Sequence, residues 1–77
     1  MTAKIMISSI NDVKNFVNIV NKYDFDIDLV SDRYVVDAKS IMGIFSIDLA
    51  KPIKIEVHGS EEELNTFRDA VKDYIVN

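Results

Sequence analysis

Ala38-Lys39-Ser40-Ile41-Met42-Gly43-Ile44-Phe45-Ser46-Ile47 is the run from which the rest of the chain is best read. A serine directly before an apolar stretch supplies a hydroxyl that accepts a free helix amide, so Ser40 reads as the cap of a short helix over Ile41–Leu49. Pro52 closes the region. Ile41, Met42, Ile44, Phe45, Ile47 and Leu49 are too many apolar side chains for one face of so short a helix. Some must therefore face water, and exposed clusters of this kind mark a partner surface. Met42 and Phe45 are the expected exposed pair. Asp48 sets a negative charge near the C-terminal end, where the helix dipole disfavours it.

Outward from this run the periodicity changes. Asp26-Ile27-Asp28-Leu29-Val30 alternates at period two, and Arg33-Tyr34-Val35-Val36-Asp37 does so more roughly. Ser31-Asp32 between them is short enough for a hairpin turn, which makes the pair antiparallel. On the other side, Ile53, Ile55 and Val57 share one strand face, with Lys54 and Glu56 on the other. Farther out, Lys4–Ser8 reads as a strand. Val13, Phe16, Val17, Val20 and Tyr23 recur at helical spacing, which predicts a helix from about Asn11 to Lys22. Ser60-Glu61-Glu62-Glu63 forms a capping box for a last helix, with Leu64, Phe67, Val71, Tyr74 and Ile75 as its buried stripe. The order strand, helix, two strands, short helix, strand, long helix suits an antiparallel sheet covered by helices on one face, the other face being left to water.

Composition narrows the function classes. Seventy-seven residues make one small domain, here 1–77, which buries only about 60–65% of its unfolded surface. The chain has no cysteine, hence no disulfide framework and no thiolate metal site. Nearly half of its residues are apolar, enough for a core without staples. Thirteen acidic against nine basic residues give a formal charge of −4, which argues against a nucleic-acid partner. There is no apolar run long enough to span a membrane, and Met1–Ile10 lacks the parts of a signal peptide. A cytoplasmic domain is expected.

Ala38–Ile47 resembles the regulatory-serine segment of HPr, the phosphocarrier family of the bacterial sugar phosphotransferase system. Lys22-Tyr23-Asp24, followed by Asp26, is similar to the end of that family's first helix and the start of its second strand. The spacing of the two runs and the order of elements fit as well. The resemblance implies an α+β fold, the open-faced β-sandwich in which a four-stranded antiparallel sheet carries three helices on one face (βαββαβα). It also implies that the serine matching Ser40 is phosphorylated by a dedicated kinase, and that Lys39, Ser40, Ile41, Met42 and Phe45 lie on a surface contacting enzymes and regulators.

The chain departs from the family where its phosphate chemistry is carried. HPr proteins have a Gly-x-His-x-Arg-Pro motif before the first helix, and its histidine takes phosphate from a phosphoenolpyruvate-dependent enzyme. Aligned back from Lys22-Tyr23, Ser9 stands at the histidine position, Asn11 at the arginine and Asp12 at the proline; the loop is shorter and has no glycine. Moving the register does not restore the motif, because the one histidine is His58 and the first basic residue after Ser9 is Lys14. A serine ester is far less reactive than a phosphoramidate, and Asp12 would repel a phosphate held there.

Each single residue also has a plain structural role. Ser9 is most simply a helix cap and Ser40 another. His58, with no ligand-type pattern around it in sequence, reads as a surface residue at a strand end, so no metal or cofactor is expected. Asp24, Asp26 and Asp28 lack the spacing and glycine of a calcium loop and read as a solvated strand face. Tyr23, Tyr34 and Tyr74 read as core or core-edge residues. Three functions fit: a non-enzymatic interaction protein acting through the Ser40 helix, with an HPr kinase, a transcriptional regulator or phosphotransferase-system enzymes as partners; a phosphocarrier using Ser9 or His58 as an unorthodox acceptor; and an accessory or dimerisation module.

Overall fold

The computed structural model describes residues 1–32 and 34–76. Strand β1 (Thr2–Ile5) leads to helix α1 (Ile10–Val20), then strands β2 (Asp26–Val30) and β3 (Val35–Asp37). Helix α2 (Ile41–Phe45), strand β4 (Ile53–His58) and helix α3 (Glu61–Ala70) follow, and a 3-10 turn over Lys72–Tyr74 ends the ordered elements. The strands form one antiparallel sheet in the order β1-β4-β2-β3.

Alternation along the strands explains why the helices gather on one face. Ile27 and Leu29 of β2, and Ile53, Ile55 and Val57 of β4, point inward and are buried. They meet Val13, Phe16 and Val20 of α1, Ile44 of α2 and Phe67 of α3 in one core. Phe16 and Phe67 are fully buried; side chains of this kind stabilise the fold by about 1.5–3 kcal/mol each. The other sheet face carries Lys54, Glu56 and His58 alongside Asp26 and Asp28, and among the described residues no helix covers it. This is the open-faced β-sandwich expected from the sequence. No helix among the described residues is long and apolar enough to cross a membrane.

The boundaries shift where tertiary pairing overrides local pattern. β1 spans Thr2–Ile5 rather than Lys4–Ser8, because its partner β4 begins at Ile53, which faces Ile5. Beyond that point Met6 turns to the C-terminal segment and donates to the Tyr74 carbonyl at 2.8 Å. Helix α2 stops at Phe45 rather than Leu49. Ser46 and Ile47 make tight bonds to the Gly43 and Ile44 carbonyls, and the Asp48 carboxylate then accepts the Ala50 amide at 2.9 Å. The surplus of apolar residues is thereby resolved: Ile47 is buried after the helix has ended, and Leu49 packs half-buried beside it.

The last helix ends at Ala70, so Tyr74 and Ile75 of the expected stripe lie in the 3-10 turn and in a bridge to Ile5. Arg33, expected in the third strand, lies outside the described residues. Tyr34 was expected at the core or its edge and is instead 57% exposed, standing in the turn where Ser31 and Tyr34 bond to each other ahead of β3.

Candidate functional site

Two helix N-termini carry the residues singled out by sequence. At α2, the Asp37 carboxylate accepts the Lys39 amide at 2.9 Å, and the Ser40 amide donates to the Asp37 carbonyl at 3.0 Å. This turn delivers Ser40 in extended backbone conformation, where its Oγ accepts the Gly43 amide at 3.3 Å and its carbonyl accepts the Ile44 amide. Ser40 is thus the cap that its position before an apolar run predicted, and its hydroxyl is exposed.

The side chains after Ser40 divide sharply. Ile44 is fully buried and anchors α2 to the core. Met42 is 77% exposed and Phe45 42%, which confirms them as the exposed pair. Ile41 and Lys39 are half-buried, and Ile41 packs against the core rather than standing out with Met42. A Cβ on Gly43 would meet Ser40 Oγ and Val36 at ordinary contact distance, so α2 sits close to β3 without strain.

At α1, Ser9 is also an N-cap: its Oγ accepts the Asp12 amide at 3.0 Å and its carbonyl accepts the Val13 amide. The first turn carries the Asp12 carboxylate. Burial pushes the Tyr74 phenol above the ordinary tyrosine value, and the Asp12 and Asp73 charges push it the same way. The chain's one imidazole is elsewhere. His58 ends β4 and points to the open face of the sheet, away from α1.

His58 is a surface residue at a strand end, as its sequence position predicted, and the fold adds what the sequence did not show. His58 does have ligand-type neighbours, supplied by other strand positions: its Nε2 lies 3.3 Å from Asp28 Oδ2, and Glu56 stands beside both. The signal was present as Asp26/Asp28 and Glu56/His58, each a polar face at period two. What the sequence lacked was the β2–β4 pairing that brings them together.

Comparison with known proteins agrees with this architecture. The family model described as the PTS HPr component phosphorylation site matches residues 11–77. A search of curated proteins returns no significant match. Among solved structures, the phosphocarrier protein HPr of Bacillus anthracis str. Ames is 32% identical, with a TM-score of 0.68 over 92% of this chain and 95% of that one. HPr-C-His from Thermoanaerobacter tengcongensis is 26% identical, with a TM-score of 0.70 over 95% and 90% of the two chains. The histidine-containing phosphocarrier protein of Mycoplasma, at 18% identity, shares the fold with a TM-score of 0.72 over 95% and 86%. With the family model matched over nearly the whole sequence and the sheet and helices in the same arrangement, this chain belongs to the HPr family of the phosphotransferase system.

Proposed function

We propose that this HPr-family chain is a cytoplasmic partner-binding module that works through α2 and is gated by phosphorylation of Ser40, and that it does not relay phosphate through a histidine. The observation that carries the proposal is the exposed Ser40 hydroxyl capping a helix whose Met42 and Phe45 side chains face solvent. Members of the family hand phosphate between other proteins and are not themselves catalysts. In this reading the chain keeps their contact surface and gives up the transfer. Ser9 takes the place of the family's histidine, and the Asp12 carboxylate sits where a phosphate at the start of α1 would need a cation.

A phosphate on Ser40 suits its setting. The Gly43 amide already points at Ser40 Oγ and would donate to a phosphate oxygen, and negative charge is favoured at a helix start. Modification then changes the charge beside Met42 and Phe45 without unfolding α2. An HPr kinase, a transcriptional regulator and phosphotransferase-system enzymes are the partner classes that this surface fits. The rival reading, a phosphocarrier in sugar uptake with Ser9 or His58 as an unorthodox acceptor, draws on family membership alone. Incubation with an HPr kinase and ATP tests the proposal: one phosphate should be gained, and Ser40→Ala should gain none. An unchanged mass for the parent protein removes the switch.

A further inference from the structure

Three ligand-type side chains converge on the sheet face turned away from the helices. Glu56 and His58 stand two residues apart on β4 and therefore point to the same side. Asp28 of β2 lies directly opposite Glu56 and diagonal to His58. One ligand atom from each residue lies within 4.8 Å of the others. His58 Nε2 and Asp28 Oδ2 are 3.3 Å apart. Donors held about 2.0–2.1 Å from a tetrahedral zinc ion are separated by roughly 3.3–3.4 Å, so this pair already has the spacing of two ligands.

Carboxylates crowd this part of the sheet. Asp28 faces Glu56 on one neighbouring strand and Asp37 on the other, and like charges directly opposite each other destabilise a ladder. Asp26, opposite His58, adds a further carboxylate to the same face. Partial compensation comes from the His58 imidazole, 3.3 Å from Asp28, and from two further contacts. Lys54 Nζ reaches Glu56 at 3.3 Å, and Asp37 turns one oxygen to the Lys39 amide. The side chains of Asp28 and Glu56 are 34% exposed and that of His58 54%, so an ion could enter from solvent and keep water as its remaining ligand.

We propose that Asp28, Glu56 and His58 bind a divalent first-row transition-metal cation, with Zn²⁺ as the reference case. Asp28 and His58 supply the preformed pair, and Glu56 joins them by rotating away from Lys54. The imidazole sets the selectivity, since nitrogen donors suit zinc, copper and nickel, whereas calcium and magnesium take oxygen ligands. The site occupies the opposite face of the sheet from α2, so it stands or falls independently of the function proposed for Ser40.

The test is a calorimetric titration of the full chain, free of any affinity tag, with zinc chloride, followed in parallel by the imidazole resonances. His58 is the only histidine, so those resonances have a single assignment. Saturation at one equivalent with a shift of the His58 ring is expected. Outer-shell partners alone are worth about 10–100-fold in metal affinity, so loss of a direct ligand in His58→Gln or Asp28→Asn should weaken binding by at least about tenfold. Both positions are solvent-accessible, and the amide spectrum checks that each variant is folded. The proposal is overturned by lack of saturation up to about 1 mM zinc, by variants that bind as tightly as the parent, or by calcium chloride moving the His58 ring with equal affinity.

Discussion

Ser9 and Asp12 are joined by the hydrogen bond that opens α1, the Asp12 amide donating to Ser9 Oγ at 3.0 Å. In the proposed reading Ser9 stands at the family's histidine position, and its hydroxyl is then already engaged in holding the helix. Ser9→Ala should cost about 1 kcal/mol of stability, measured by urea unfolding, and leave modification of Ser40 unchanged. A variant as stable as the parent would contradict the capping role.

Gly59 leaves room that Phe25 uses. A Cβ at position 59 would stand 3.1 Å from two carbons of the Phe25 ring. That ring has little freedom to retreat, lying tilted against Tyr23 at 5.2 Å and set edge-on to the fully buried Phe67 at 5.8 Å. Gly59→Ala should lower stability by about 1–2 kcal/mol. Adding Phe25→Leu should make the pair of changes less costly than their sum. Strict additivity would place the strain elsewhere.

The capping box of α3 sets a pH dependence. The Glu63 carboxylate accepts the Ser60 amide at 3.0 Å while Ser60 Oγ accepts the Glu63 amide at 3.2 Å. The backbone bond first, and the Ser60 side chain second, hold the Glu63 carboxyl below its ordinary value. A carboxyl depressed by folding contributes stability that is present above its unfolded value and is lost as pH falls through the folded one. Glu63→Gln should therefore melt below the parent at neutral pH, and the gap should narrow in acid. A gap that stays constant down to about pH 3 would rule out the charge-dependent part.

Met42 and Ile44 lie two residues apart in α2 and should respond oppositely to truncation. Met42→Ser with Phe45→Ser removes only exposed or partly exposed side chains and should change stability by about 0.5 kcal/mol or less. Ile44→Ala opens the core and should cost about 2–5 kcal/mol. The double variant should nevertheless lose efficiency as a substrate of an HPr kinase by roughly tenfold, because anchors of an interface carry most of its energy. Undiminished turnover would move the docking surface away from α2.

The sequence made the core legible because the periodicities at Asp26–Val30, Ile53–Val57 and the two long helices each point to one buried face, and the sheet gives each strand a single way to bury it. Ser9, Ser40 and Ser60 were legible as caps for a local reason, since an N-cap is decided within three residues. Three features were not local. The end of β1 depends on where β4 begins, and the end of α2 depends on the turn that Asp48 makes. The meeting of His58 with Asp28 depends on strand order, which residues thirty positions apart cannot announce by themselves. Tyr34 was misplaced because an aromatic residue beside a strand pattern looks like core, whereas here it falls in the turn.

The claim at the centre of this account is that the HPr fold is kept while its histidine relay is given up. Intact-mass measurement after incubation with phosphoenolpyruvate and the first enzyme of the phosphotransferase system tests it most directly, with a histidine-bearing HPr in the same reaction as a positive control. The account predicts that the control gains an acid-labile phosphate and this chain keeps its original mass. A phosphate on this chain, acid-labile at His58 or an ester at Ser9, would contradict it.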